Sequence, residues 1–103
     1  MNTYNQSEVL KLLNDNDLIK ALEEIDDLAA FRNFKSTEDA ELITKELLSI
    51  DILSLSYEAR ETLLHTFFTL SSNYNLASVD FRILEELKDR IEIDLVDYIN
   101  DLY

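Results

Sequence analysis

Residues 56–74 read SYEARETLLHTFFTLSSNY, the most apolar long segment of a 103-residue chain. Projected at about 100° per residue, Tyr57, Ala59, Leu63, Leu64, Phe67, Phe68, Leu70 and Tyr74 fill an arc of roughly 180°. Glu58, Glu61, Thr62, His65, Thr66, Thr69 and Ser72 fill the other side. A helix lying on a surface needs an apolar stripe only a little over about 100° wide. The wider arc predicts a middle helix, with neighbours on two sides. Ser56 is the N-cap candidate, because its hydroxyl can accept from an orphan amide of the first turn. Glu58 lies where the positive helix end favours an anion.

The same periodicity, followed outward, predicts an all-α fold. One domain of five to six helices is expected, at about 8–14, 17–32, 37–50, 56–73, 79–90 and 92–102. Residues 1–6 read as a frayed lead-in, and Ser7 can cap the first helix. Asn14-Asp15-Asn16-Asp17 is a turn signal, from which Asp15 or Asn16 can cap the second helix. That helix buries Leu18, Ala21, Leu22, Ile25, Leu28 and Ala29. Ser36-Thr37-Glu38-Asp39 resembles a capping box and opens the third helix, which buries Ala40, Ile43, Leu47 and Ile50. Residues 50–56, IDILSLS, alternate like a strand but have no partner strand, and read as a connector. Ser78 or Asp80 opens the fifth helix, with Ile83, Leu84, Leu87 and Ile91 on one face. The last helix buries Leu95, Val96, Ile99 and Leu102. The helices either stack as antiparallel hairpins of the HEAT kind or form an irregular bundle.

Composition narrows the function classes. There is no Gly and no Pro. Tight β-hairpins lose their usual turn residues, and no glycine-rich phosphate loop can be written. Helices must end without glycine, which makes Asn14, Asn16, Asn33, Asn73 and Asn75 the candidates for left-handed C-terminal positions. There is no Cys, so neither disulfides nor thiolate metal sites exist. No basic-then-apolar leader is visible and no apolar run approaches the length of a membrane span, so a soluble cytoplasmic protein is expected. The net charge of −13 comes from 22 acidic and 9 basic residues. Such a field repels nucleic acid and anionic membranes, and attracts a cationic partner.

No motif carries catalysis, and no enzyme, metal or cofactor is expected. His65, the one histidine, falls in the polar arc four residues after Glu61. The pair is geometrically permitted, but no nucleophile accompanies it and the reading is an exposed histidine beside a carboxylate. A Glu-x-x-His metal motif would need an acid where Thr62 stands. An EF-hand counted from Asp15 fails at Ile19, Lys20 and Asp26. Glu23 and Asp27 share a helix face, which reads as solvated. The polar features that stand out are surfaces. Asp94, Asp97 and Asp101 recur at i, i+3 and i+7 in the last helix, with Tyr98 at the edge of the stripe and Tyr103 ending the chain. Asp is a poor helix former and gains nothing near a helix C-terminus, which marks the stripe as a candidate dock for Lys and Arg side chains. Glu23, Glu24 and Asp27 with Phe31 form a second candidate, an aromatic within an acidic face, unless Phe31 turns inward at the helix end.

The patterns ALEEIDDLA at 21–29, ELLSIDI at 46–52 and ETLLHTFFTLSSNY at 61–74, on a small acidic cysteine-free helical chain, resemble bacterial immunity proteins. These neutralise the toxic C-terminal domains of contact-dependent growth inhibition and other polymorphic toxins. The chain is most similar to helical, HEAT-like members such as the immunity protein 30 family, with the closest local similarity around Leu64-His65. The resemblance implies one-to-one binding to a cognate toxin with a basic surface, often a nuclease, by a protein that is otherwise a monomer or weak dimer. It carries over no catalytic or binding residue. A nucleic-acid mimic of the anti-restriction or anti-CRISPR kind is the alternative expectation, and a helical adaptor or regulatory subunit the next.

Overall fold

Ser56 caps the central helix: its hydroxyl accepts from the Ala59 amide at 3.2 Å. In this computed structural model, which describes residues 3–15 and 17–102, helix α4 then runs Tyr57–Asn73. It is preceded by α1 (Gln6–Asp15), α2 (Leu18–Ala30), α3 (Thr37–Leu48) and a 3₁₀ turn (Ile52–Ser54). A short α5 (Arg82–Glu85) and α6 (Ile93–Asn100) follow it. The described residues contain no strand, only an isolated bridge between Tyr4 and Phe34. The all-α expectation is met, and α4 is the hub, since α2, α3 and α6 all pack on it.

Packing on α4 is deeper than the wheel predicts. Ala59, Leu63, Leu64, Phe67 and Leu70 are buried as expected, but so are Thr66 and Thr69 from the polar arc. Each threonine hydroxyl bonds back to a carbonyl one turn earlier, Thr66 to Thr62 at 2.8 Å and Thr69 to His65 at 3.1 Å. The polar atom is thereby satisfied inside the helix, and the methyl group can face α2. The Thr66 hydroxyl also reaches the Leu22 carbonyl of α2, at 3.4 Å. Tyr57 departs the other way and remains exposed.

Several boundaries differ from expectation for identifiable reasons. The cap of α1 is Asn5, not Ser7: Asn5 and Glu8 exchange side-chain bonds with each other's amides at 2.9 and 3.3 Å. Of the lead-in, residues 1–2 lie outside the described residues, and Tyr4 is tied down through its backbone to Asn33 and Lys35 at 2.8 and 2.9 Å. Asp17 caps α2, accepting from the Lys20 amide at 3.0 Å, while Asp15 belongs to α1 and Asn16 lies outside the described residues. Helix α2 ends at Ala30, two residues early, in a turn that places Arg32 at φ 55°. Arg32 and Asn33 donate to the carbonyls of Ala29 and Leu28, the pattern that usually recruits glycine. The left-handed residue is therefore an arginine and not one of the expected asparagines. Ser36 caps α3, its hydroxyl accepting from the Asp39 amide at 3.1 Å, while the Asp39 carboxylate accepts from the Ser36 hydroxyl at 2.7 Å and from the Gln6 amide at 2.8 Å.

The fifth helix is the largest correction. Only residues 82–85 are α-helical, and the chain continues to Arg90 in turns with three-residue hydrogen bonds. At about three residues per turn Leu84 and Leu87 superpose while Ile83 rotates off their face. Leu84 is accordingly buried and Ile83 exposed.

Candidate functional site

Three helices converge on a shallow crevice of about 350 Å³ lined by Glu23 and Asp26 of α2, Glu58, Glu61, Thr62 and His65 of α4, and Tyr98 of α6. The α4 residues recur at i, i+3, i+4 and i+7, which is one face of a helix. The α2 pair recurs at i and i+3, on one flank of the stripe that α2 buries. Packing of α2 and α6 on α4 brings these rows together.

His65 stands at the centre. Its Nδ1 donates to the Asp26 carboxylate from α2, and its ring meets Tyr98 edge-on with centroids 6.0 Å apart. The histidine is exposed, as its place in the polar arc predicts, with its side chain 50% accessible. Its carboxylate partner is Asp26, however, and not Glu61. The Thr62 hydroxyl donates to the Glu58 carbonyl at 2.9 Å, and no hydroxyl of the described residues bonds to the imidazole.

The field in the crevice is negative. Glu23, Glu58 and Glu61 take part in no ion pair among the described residues. The Tyr98 phenol is pushed above its ordinary value by burial and by the charges of Glu61, Asp94 and Asp26. Outside the lining, the Tyr57 hydroxyl at the start of α4 donates to the Asp94 carboxylate of α6. That bond, with the charges of Asp94, Glu61 and Glu92 around it, pushes the Tyr57 phenol up to about 12. The arrangement suits a cation: carboxylates for charge, and two aromatic rings for a guanidinium or ammonium to lie against.

The sequence-derived candidates are redistributed. Of the α6 stripe, Tyr98 lines the crevice, whereas Asp94, Asp97 and Asp101 are exposed outside its lining, Asp94 bonded to Tyr57. Tyr103 lies outside the described residues. The second candidate splits along α2: Glu23 faces the crevice, while Glu24 and Asp27 face α1 and line a different groove. Glu23 and Asp27 border different depressions, yet at four residues' separation they stay exposed side by side on the outer face of α2, as read. Phe31, at the end of α2, stays 74% exposed and does not turn inward. Asp26 and Glu58 line the crevice without being singled out in the sequence, and Glu61, singled out there beside His65, lines it too. Their i, i+3 and i, i+3, i+7 spacings were readable, but which helix faces meet is a tertiary property.

Among the described residues no group of three or more His, Cys, Asp or Glu side chains is placed to hold a metal ion, and no helix is long and apolar enough to cross a membrane. No family model, curated protein or solved structure matches the chain.

Proposed function

We propose that this chain is a binding protein and not an enzyme: an immunity-type inhibitor that docks a basic bacterial toxin domain against its acidic crevice, in the cytoplasm. The observation that carries the reading is the convergence of Glu23, Asp26, Glu58 and Glu61 around Tyr98 and His65, on a chain of net charge −13. Long-range attraction speeds encounter with a cationic domain, and the half-buried tyrosine offers an anchor once contact is made. The resemblance to helical immunity proteins supplies the class of partner.

Co-purification with the C-terminal domain of a secreted toxin encoded beside the gene tests the proposal. A nanomolar complex that weakens steeply with salt is expected, together with protection of cells from that toxin. Glu58→Lys with Glu61→Lys should cut the association rate by about tenfold or more, because steering depends on the local field. Asp97→Lys with Asp101→Lys, outside the crevice, should cut it less. Lack of binding and of protection, or equal effects of the two reversals, would overturn the reading.

A further inference from the structure

On the opposite flank of α2 lies a groove of about 520 Å³ between α1 and α2. Its floor is apolar, made by Tyr4, Val9, Leu12 and Leu28. Glu24 and Asp27 form the α2 wall and take part in no ion pair among the described residues. The α1 wall carries mixed charge: Lys11 stands there with Glu8, which lies 3.9 Å from Lys35.

Phe31 continues this surface. It follows Glu24, Asp27 and Leu28 by seven, four and three residues, and so lies on the same face of α2. Phe34, Phe67 and Phe81 are buried and Phe68 is half-buried, which leaves Phe31 the one phenylalanine out in water. Its position is fixed by the turn that ends α2, where the Phe31 amide donates to Asp27 at 3.1 Å and Arg32 takes the left-handed conformation. The side chain is exposed, about one turn beyond the groove's lining residues on α2.

We infer that this groove docks an amphipathic basic helical segment of a partner protein, with Phe31 as the anchor. The inference goes beyond the crevice reading and uses a different face. Charge complementarity selects the occupant: apolar side chains enter the floor, and Lys or Arg along one edge meets Glu24 and Asp27. A second copy of this chain, at net charge −13, is repelled from the same place. Helix α1 spans 10 residues, or about 15 Å, so the groove accepts about three turns of a partner helix.

The probe is a synthetic 14-residue peptide of leucine and lysine with leucines at i, i+3, i+4 and i+7, beside a peptide of the same composition with that spacing scrambled. Binding is measured by fluorescence anisotropy in 0.15 M salt, and amide shifts are followed by NMR. The ordered peptide should bind at least tenfold tighter than the scrambled one and move the amides of Leu12, Leu28 and Phe31. Phe31→Ser should remove that preference, with an unchanged circular dichroism spectrum. Glu24→Gln with Asp27→Asn should weaken binding at least threefold more than the charge-matched pair Glu58→Gln with Glu61→Gln. Equal affinity for the two peptides, or shifts centred on Glu61 and Tyr98, would overturn the inference. So would a concentration-dependent dimer that disappears in Phe31→Ser, which would make a second copy the occupant. The peptide assay does not involve the toxin, so its failure and failure of the crevice reading are separable.

Discussion

Arg60 is the strongest single test of how the fold is held. Its side chain is only 11% exposed, and its guanidinium makes four hydrogen bonds. Nε donates to the Ile52 carbonyl and Nη2 to those of Leu53 and Leu55, each at 3.2 Å, while Nη1 meets Glu92 at 2.6 Å. The 3₁₀ turn before α4 is thus fastened to α4, and so is Glu92, which precedes the first residue of α6. The Glu92 carboxyl is held below its usual range by its own backbone amide and then by Arg60. A net hydrogen bond is worth about 1 kcal/mol, so losing the three carbonyl contacts should cost about 3 kcal/mol. The Glu92 contact is left out of that figure because its carboxylate is well exposed and water can replace the partner.

Arg60→Met keeps the aliphatic stem and removes the fork, which isolates the hydrogen bonds from packing. Urea unfolding followed by circular dichroism should show the loss of about 3 kcal/mol, and the thermal midpoint should fall by roughly 12 °C or more. Arg60→Lys should fall between, because an ammonium carries charge without the planar fork that spans these acceptors. Glu92→Ala should have a small effect beside that of Arg60→Met. The reasoning fails if Arg60→Met lies within about 1 kcal/mol of the parent, or if Glu92→Ala costs as much.

Two further outcomes follow from local geometry. Arg32→Gly should raise the urea midpoint at unchanged slope, by about 0.5 kcal/mol, because φ 55° costs a side-chain-bearing residue more than the extra unfolded-state freedom costs glycine; a lowered midpoint would contradict this. The Tyr57 phenol, raised to about 12 from 10.0 by the Asp94 carboxylate, favours the folded state fully below about pH 10 and loses that contribution as pH rises through about 12. An alkaline ultraviolet titration should lose its highest tyrosine midpoint in Tyr57→Phe, and Asp94→Asn should return that midpoint toward the ordinary range.

What was legible in the sequence was whatever rests on neighbours within one helix. Ser36 and Ser56 cap as read because a cap needs only the amide three residues on. The buried stripe Ala21, Leu22, Ile25 and Ala29 follows from the helical period. What was not legible depends on contacts across the chain or on a choice that composition hides. Thr66 counts as polar in any projection, yet its hydroxyl is satisfied one turn back and the residue is buried. The turn at Arg32 lacks the glycine that would have announced it. Asp26 and His65 are 39 residues apart in sequence, and only the packing of α2 on α4 makes them partners.

Helix α2 explains why one acidic segment serves two surfaces. In Glu23-Glu24-Ile25-Asp26-Asp27 the apolar Ile25 is locked into the core with Leu22 and Ala29. With the stripe fixed, a rotation of about 100° per residue sends Asp26 to one flank and Glu24 to the other, with Glu23 and Asp27 side by side on the outer face between them. The two flanks cannot trade places, since a slip of one residue would turn carboxylates into a core that cannot solvate them. Charge on each flank is therefore positioned by the burial between them, and of these four acids only Asp26 has an ion-pair partner among the described residues, His65. Glu23, Glu24 and Asp27 remain without salt-bridge partners among the described residues, free to meet cations from outside. Substituting a flank residue disturbs one surface alone. Truncating Ile25 weakens a constraint common to both, which Leu22 and Ala29 share.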